Sequence, residues 1–442
     1  MCRQYIFLSS ATTVRAFHQI VSNALVLKDS SSPFKLLSKK LTMKTKLVSI
    51  DPNSFSFVDG LEDPTFTTTD QNGLETLSKA ALLLKDNKVV AIPTETVYGL
   101  AANALNAKGI LQIYATKNRP ADNPLIVHIS SLKMLRSLLM NEEIPQIYHS
   151  VIHKFWPGPL TILFPKSSLI PSEVTCNQET VAIRFPSHPI ARALITVCGF
   201  PLAAPSANVS GRPSPTLASH VMDDLNGKIP MIIDGGQCSF GVESTVLDGL
   251  QASGPAILRP GGVTYEALIS IPEMNGLRVY KKDFVDKNLE NTPTTPGMKY
   301  RHYSPNAQVV LLEGNDVHSI RKLVEGEVAN AVKSGNEKIG ILRTTGVSDV
   351  QGECHKQEVN IKGNGIESDM DNGTMSRETI EYVLGNAERP QQVAQELFKG
   401  LRYLDEQKVD CIIVEGVSEA YEGLAVMNRL RKAATRIVRE QK

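Results

Sequence analysis

The chain lacks the features that mark several common protein classes. Its six cysteines, Cys2, Cys176, Cys198, Cys238, Cys354 and Cys411, are scattered, with no C-x-x-C pair and no regular spacing to two histidines. That pattern excludes a disulfide framework and fits reduced thiols. The nine histidines form no H-E-x-x-H and no facial cluster, so no metal ligand is assigned from the sequence. There is no run of about 18 apolar residues, so no membrane-spanning helix is expected. Neither G-x-x-x-x-G-K-[ST] nor G-x-G-x-x-G occurs, which removes the Walker-type and dinucleotide fingerprints. The formal net charge is only +1, which argues against a protein that works by coating nucleic acid, although a local basic groove fits within a neutral total.

What is present is enough chain for two domains and a tail, since 442 residues exceed one typical core. Residues 1–50 carry Arg3, Arg15, Lys28, Lys35, Lys39, Lys40, Lys44 and Lys46 against the single acid Asp29, with abundant Ser and Thr. This basic N-terminal extension has the composition of a mitochondrial presequence, and Met43 offers an alternative start. A cytoplasmic and also mitochondrial location is the expectation, with a plain basic tail as the alternative.

A helical pattern from Leu74 runs into the strand "KVVAIPT". Further short apolar runs follow at "PLIVHIS", "LTILFP", "TVAIRFP", "PLAAPS", "MIIDGG", "STVLDG" and "AILRPG", interleaved with helical stretches. The expected fold over residues 70–275 is α/β with a large, mixed, twisted sheet. Residues 281–305 lose apolar periodicity and gain prolines, as a linker does. Residues 306–442 alternate "AQVVLLEG", "EKIGILR" and "DCIIVEG" with helical stretches, the rhythm of a smaller Rossmann-like α/β domain. Within it, about 346–376 reads as a loop insertion, and "LAVMNRLRKAATRIVRE" reads as a closing amphipathic helix with a solvated face.

Several segments end strands with side chains suited to ligands. In "KNRPADNP", Lys117 and Arg119 sit two apart in what reads as an extended loop, so both point one way and form a clamp for phosphates. Alone, the pair also fits a solvated surface. "AAPSANVSGRPSPT" runs from a strand into a small-residue turn where Ser206, Asn208, Ser210 and Ser214 offer donors to phosphate or ribose oxygens, or form an ordinary turn. "PTETVYGLAANA" has the same form, with Thr94, Glu95 and Thr96 before a glycine. Arg184 lies inside the apolar "TVAIRFP" with no acid evident beside it, so a ligand carboxylate would satisfy it. His128 in "PLIVHIS" is a core histidine or a ligand contact.

In order and spacing these segments resemble the YrdC-like family, and the whole chain after Met43 resembles its two-domain threonylcarbamoyl-AMP synthases. The K-x-R of Lys117 and Arg119 with the S-x-N of Ser206 and Asn208 is the family signature; "FWPGPLT", "VAIRFPSHP", "GVESTVLD" and "LRPGGVT" extend it. "TPGMKYRHYSP" looks like the family's interdomain linker and "LAVMNRLRKAA" like its C-terminal motif. The resemblance implies a YrdC-like sheet with a concave active-site groove. It also implies synthesis of L-threonylcarbamoyl-AMP from L-threonine, bicarbonate or carbon dioxide, and ATP with Mg2+, releasing pyrophosphate. The product would pass to a tRNA threonylcarbamoyl transferase complex that modifies the adenosine beside the anticodon.

Carried over by residue, Lys117 and Arg119 would be catalytic and would line the nucleotide and phosphate side with Asn123, Thr180, Ser206, Asn208, Ser214 and Arg259. Threonine would be held by Thr94 or Thr96, His128, Arg184, the Ala204 backbone and Ser244. Tyr303, beside His302, would close the linker over ATP. Two other readings remain at this level: an RNA-binding module using the concave groove, and a carbamoyl transferase that handles carbamoyl-adenylates. The absence of stacking aromatics beside the basic pair counts against the first. The absence of an attached acylphosphatase-like or zinc-bearing segment counts against the second.

Overall fold

The computed structural model describes residues 43–440 apart from 59, 287–288, 291–292, 296–301, 315, 345–351 and 360–376. The presequence expected within residues 1–42, part of the linker and most of the expected insertion lie outside the described residues.

An 11-stranded mixed sheet forms the first domain. In chain order its strands are β1 (Lys46–Ser49), β4 (Val90–Ile92), β5 (Gly99–Asn103), β6 (Ile126–His128), β7 (Leu160–Pro165), β8 (Thr180–Arg184), β9 (Leu202–Ala203), β10 (Met231–Asp234), β11 (Thr245–Asp248), β12 (Ala256–Arg259) and β13 (Arg278–Val279). Across the sheet they run β1-β10-β4-β5-β9-β6-β8-β7-β11-β12-β13. β2 (Phe55–Phe57) and β3 (Phe66–Thr68) make a separate hairpin.

The eight apolar runs of this region are all strands, because each is a short buried run bounded by proline, glycine or a turn. The expectation that residues 1–50 form an extension needs correction at its end. Lys46–Ser49 pairs in parallel with β10 at the sheet edge, where backbone bonds, not apolar periodicity, hold it.

The second domain has a six-stranded sheet in the order β16-β17-β15-β18-β14-β19. Its strands are β14 (Gln308–Glu313), β15 (Lys338–Arg343), β16 (Cys354–Val359), β17 (Arg377–Val383), β18 (Cys411–Glu415) and β19 (Arg436–Arg439). All pairs are parallel except β16 with β17. Alternation along β14 assigns its faces: Val310 and Leu312 pack with Ile320 and Val324 of the helix Val317–Lys333. Val309 and Leu311 pack with Leu397, Phe398, Val426 and Leu430 of the helices Pro390–Glu406 and Gly423–Ala433. Val97, Val242 and Tyr303 belong to this second cluster, so that face is buried against the first domain.

Two further expectations change. β16 lies inside the expected loop insertion; its sequence "CHKQEV" is too polar to signal a strand, and its pairing with β17 supplies the order. The closing segment is not one helix with a solvated face. It leaves helical geometry at Ala434 (φ −59°, ψ 133°) and ends in β19, and its helical part buries Leu424, Ala425, Val426, Met427, Arg429 and Leu430.

Candidate active site

Sheet register assembles the site's floor. His128 pairs with Arg184, Arg184 with Thr161, Thr161 with Val246, and Val246 with Arg259, so these residues form one row across five strands. Neighbours in such a row share a sheet face about 4.8 Å apart, which is how residues distant in sequence meet. Above the row is a pocket of about 650 Å³ of empty space, open to solvent. It is lined by Thr96, Lys117, Arg119, His128, Arg184, Ala204, Ser206, Asn208, Ser214, Ser244, Arg259 and Tyr303, together with Val97, Ile126, Pro205, Ser210, Gly211, Arg212, Glu243 and His302.

Lys117 is not in an extended loop. It is the last residue of the helix Ala107–Lys117, capped by Asn118 in the left-handed conformation (φ 52°). Its ammonium donates to the Ser206 carbonyl and, at 2.5 Å, to the Asn208 carbonyl. The two signature segments are thereby bound to each other, and one of three ammonium donors is left for a ligand. No carboxylate is bonded to this amine, and burial followed by the Arg119 charge holds Lys117 well below the usual lysine range. Arg119 is aimed by the carbonyls of Asn123 (3.0 Å) and Pro124 (2.9 Å).

Arg184 has a partner that its local sequence hides. Its Nη2 donates to Glu95 Oε1 at 2.6 Å, its Nη1 to the Thr96 hydroxyl at 2.8 Å, and its Nε to the Gly158 carbonyl at 3.3 Å. Glu95 and Arg184 are both about 95% buried, with side chains 5% and 4% exposed. Burial raises the Glu95 carboxyl, but the Arg184 charge together with the hydrogen bonds to Arg184 and to backbone N–H groups makes the net shift downward. The expectation of an arginine lacking an anion is therefore corrected: Glu95 is its partner, and any ligand carboxylate at Arg184 would share the guanidinium with it. His128 is neutral, since burial and then the Arg184 charge push it down to about 3.

Three expected residues lie outside the pocket lining. Thr94 braces the loop, its hydroxyl bonding Thr96 (2.9 Å) and the Val97 carbonyl (2.6 Å). Thr96, which lines the pocket, is the member of that pair placed for a ligand. Asn123 contributes its backbone carbonyl to Arg119 and Tyr114, because the Pro120–Pro124 turn presents main chain there. Thr180 stands four residues before Arg184, about 13 Å along the strand at 3.3 Å per residue. Asn208 also differs in role. Its amide nitrogen is used by the carbonyls of Val209 (2.8 Å) and Arg212 (2.9 Å), so its buried Oδ1 is the free group and acts as an acceptor.

On the far wall, Arg259 is held by Ser244 through its carbonyl (2.9 Å) and hydroxyl (3.2 Å), and the Ser244 hydroxyl meets that of Thr161 at 2.7 Å. Burial brings Arg259 down to about 10, still charged at neutral pH. Glu243, which the motif reading passed over, accepts the Ser214 hydroxyl at 2.6 Å and Arg429 Nε at 3.0 Å. Burial raises its carboxyl, yet Arg429 and then Arg259 bring it to about 2. Tyr303 faces the same carboxylate, burial and then the Glu243 charge pushing its phenol up to about 12, and it sits at φ 65°, a conformation uncommon for a tyrosine. Five cations, Lys117, Arg119, Arg184, Arg212 and Arg259, line the pocket beside one lining acid; Glu95 and Asp224, outside the lining, pair with Arg184 and Arg212, so Lys117 and Arg119 carry the excess suited to a polyanion. Among the described residues no group of three or more His, Cys, Asp or Glu side chains could hold a metal ion.

Residues 82–261 match the family model described as "Telomere recombination", and residues 263–435 match that described as "Threonylcarbamoyl-AMP synthase, C-terminal domain". A threonylcarbamoyl-AMP synthase of Schizosaccharomyces pombe is 41% identical over 426 residues, covering 90% of this chain and 98% of the relative. The chain belongs to the threonylcarbamoyl-AMP synthase family. Relatives of the same name in Pyrococcus abyssi (42% identity, 80% of this chain, 93% of the relative) and Bacillus subtilis (41%, 81% and 92%) extend the match to archaea and bacteria. The crystal structure of Pyrococcus abyssi Sua5 complexed with L-threonine aligns with a TM-score of 0.72 at 37% identity, covering 90% of this chain and all of that one. The synthase thus shares both of its domains with that protein.

Proposed function

We propose that the synthase makes L-threonylcarbamoyl-AMP in this pocket, from L-threonine, carbon dioxide or bicarbonate, and ATP. The observation that carries the residue assignment is the division of the cations. Arg184 lies in the sheet row beside neutral His128 and Thr96, while Lys117 and Arg119 sit across from it on the helix end with Ser206 and Ser210. Threonine takes the Arg184 side, its carboxylate on the guanidinium and its amine toward Thr96 and the Ala204 backbone. ATP takes the Lys117 side, with Ser214 and Arg259 beyond and Tyr303 closing over it.

The neutral threonine amine attacks carbon dioxide, and transfer of its N–H proton to solvent leaves a carbamate. A carbamate oxygen then attacks the α-phosphorus, and the bond to the β-phosphate oxygen breaks to release pyrophosphate. No covalent intermediate with the chain is needed. The protein's part is to hold the reactants and to stabilise phosphate charge with Lys117 and Arg119. The one lining carboxylate, Glu243, is used by Arg429 and Ser214, which does not fit a protein-held magnesium; magnesium enters on this reading with the ATP phosphates.

The product supplies threonylcarbamoylation of tRNA by a separate transferase complex, and the basic residues 1–42 support a mitochondrial share beside a cytoplasmic one. Purified protein given ATP, magnesium and bicarbonate should release pyrophosphate only when L-threonine is added. Release that ignores threonine overturns the proposal.

A further inference from the structure

The lining carboxylate Glu243 is held from the other domain. Arg429, on the helix Gly423–Ala433, is fully buried and donates to Glu243 Oε2 at 3.0 Å and to the Pro260 carbonyl. The second Glu243 oxygen takes the Ser214 hydroxyl at 2.6 Å. A buried ion pair is by itself a poor source of stability, because desolvation offsets its attraction. Here the pair ends on two residues that line the pocket.

Two further contacts tie the same seam to the site. The Tyr303 ring lies 5.1 Å from Phe398 of the helix Pro390–Glu406, and the Arg429 guanidinium stands 5.9 Å from its centroid. The chain before Glu243 is pressed onto that helix: a Cβ on Gly241 would lie 2.4 Å from the Gln395 backbone, and its φ of 72° is itself left-handed. No side chain separates the two domains at that point.

We infer that Arg429 is a positioning residue of the active site: through the Glu243 carboxylate it fixes the Ser214 hydroxyl at the pocket wall, and its guanidinium stands against the Tyr303 ring. The C-terminal domain therefore supplies part of the site's geometry. This rests on the reading that the pocket holds ATP and threonine. The groups facing Glu243 are Arg429 and Lys432 from the closing helix, Arg259 from β12, His302 and Tyr303 from the linker, and Ser214. Burial favours the protonated carboxyl, and among these groups Arg429 opposes it most.

The test uses full-length protein and threonine-dependent pyrophosphate release across pH 5 to 9, with thermal unfolding of each variant. Arg429→Met should lower kcat/KM for ATP by about 10²-fold, the scale of a misplaced wall. It should also add an acid limb absent from the parent, because Glu243 now protonates as pH falls. Arg429→Lys keeps the charge and should retain the parent's pH profile. The double variant Glu243→Gln/Arg429→Met carries no buried charge at the pair. It should melt near the parent and lack the acid limb, yet remain about 10²-fold down, since the amide carries an NH2 donor in place of one carboxylate acceptor and no guanidinium fixes which end meets Ser214. A double variant with the parent's kcat and KM overturns the inference and reduces the pair to domain assembly, as does Arg429→Met with an unchanged pH profile. Where Arg429→Met does not fold, the double variant decides. If the parent shows no threonine dependence, the pocket reading itself has failed.

Discussion

Glu95→Gln strips the anion from a buried ion pair and leaves the Arg184 guanidinium charged in the pocket floor. The pair is 2.6 Å long, and both side chains are 5% exposed or less. Removing one partner of such a pair costs about 3–5 kcal/mol, because the remaining charge is neither hydrated nor matched. The glutamine carbonyl, the Thr96 hydroxyl and the Gly158 carbonyl stay in place around Arg184, so the lower end, about 3 kcal/mol, is expected. On the proposed placement, a threonine carboxylate in the parent shares Arg184 with Glu95. In the variant it meets an unmatched cation, for which the full attraction at 4 Å is about 4 kcal/mol at an effective dielectric of 20. Desolvation of the carboxylate consumes most of that, and a gain of about 1.4 kcal/mol, tenfold in Kd, is the working figure. Denaturant unfolding of the apo protein reads the first quantity and calorimetric titration with L-threonine the second, with threoninol, which has no carboxylate, as control. Unchanged apo stability would refute the buried-pair energetics. Weaker threonine binding with threoninol unaffected would refute the placement of the carboxylate on Arg184.

Lys117→Met should lower pyrophosphate release by about 10²- to 10³-fold and destabilise the fold as well, by about 1–3 kcal/mol for each of the Ser206 and Asn208 carbonyls it leaves unpaired. A stable variant with parent-like release contradicts both roles. Because burial and Arg119 hold Lys117 below the usual lysine range, phosphates that raise it again make ATP binding take up a proton; titrations in buffers of different ionisation enthalpy at alkaline pH should register that uptake, and none in Lys117→Met. His128 and His220 both have pKa values depressed by burial to about 3. The unfolded chain therefore binds protons from about pH 6.5 downward while the folded chain does not, and stability falls as pH drops through that window by about 2 kcal/mol per histidine at pH 5. Equal denaturant midpoints at pH 7.5 and 5 speak against this. Serine, lacking only a methyl, should be used modestly, about 10- to 200-fold worse than threonine, and valine rejected more strongly because it leaves a polar group unpaired; equal pyrophosphate release with threonine and valine is the contrary result.

Much of the first domain was legible because its central strands are apolar runs closed by proline or glycine, a signal carried within six or seven residues. The strands that escaped have no such signal. β1 is a half-exposed edge, β5 is the small-residue run "GLAAN", and β16 is polar, and each is ordered by the strand beside it. The site divides in the same way. Lys117, Arg119, Ser206 and Asn208 stand out as local motifs, but the bonds from Lys117 to the carbonyls 89 and 91 residues away do not.

By itself the sequence determined the apolar strands, the two-domain order and the family, since these rest on turn chemistry, periodicity and motifs read over short windows. Only the tertiary structure decided which charges are matched. Glu95 lies 89 residues from Arg184, and Arg429 lies 186 residues from Glu243 on another domain. Ion pairing depends on distance and burial in space, and neither is encoded in a local stretch of chain. That is why an arginine without an evident anion proved to have one, and a helix expected to carry a solvated face proved to bury an arginine against a carboxylate of the pocket lining.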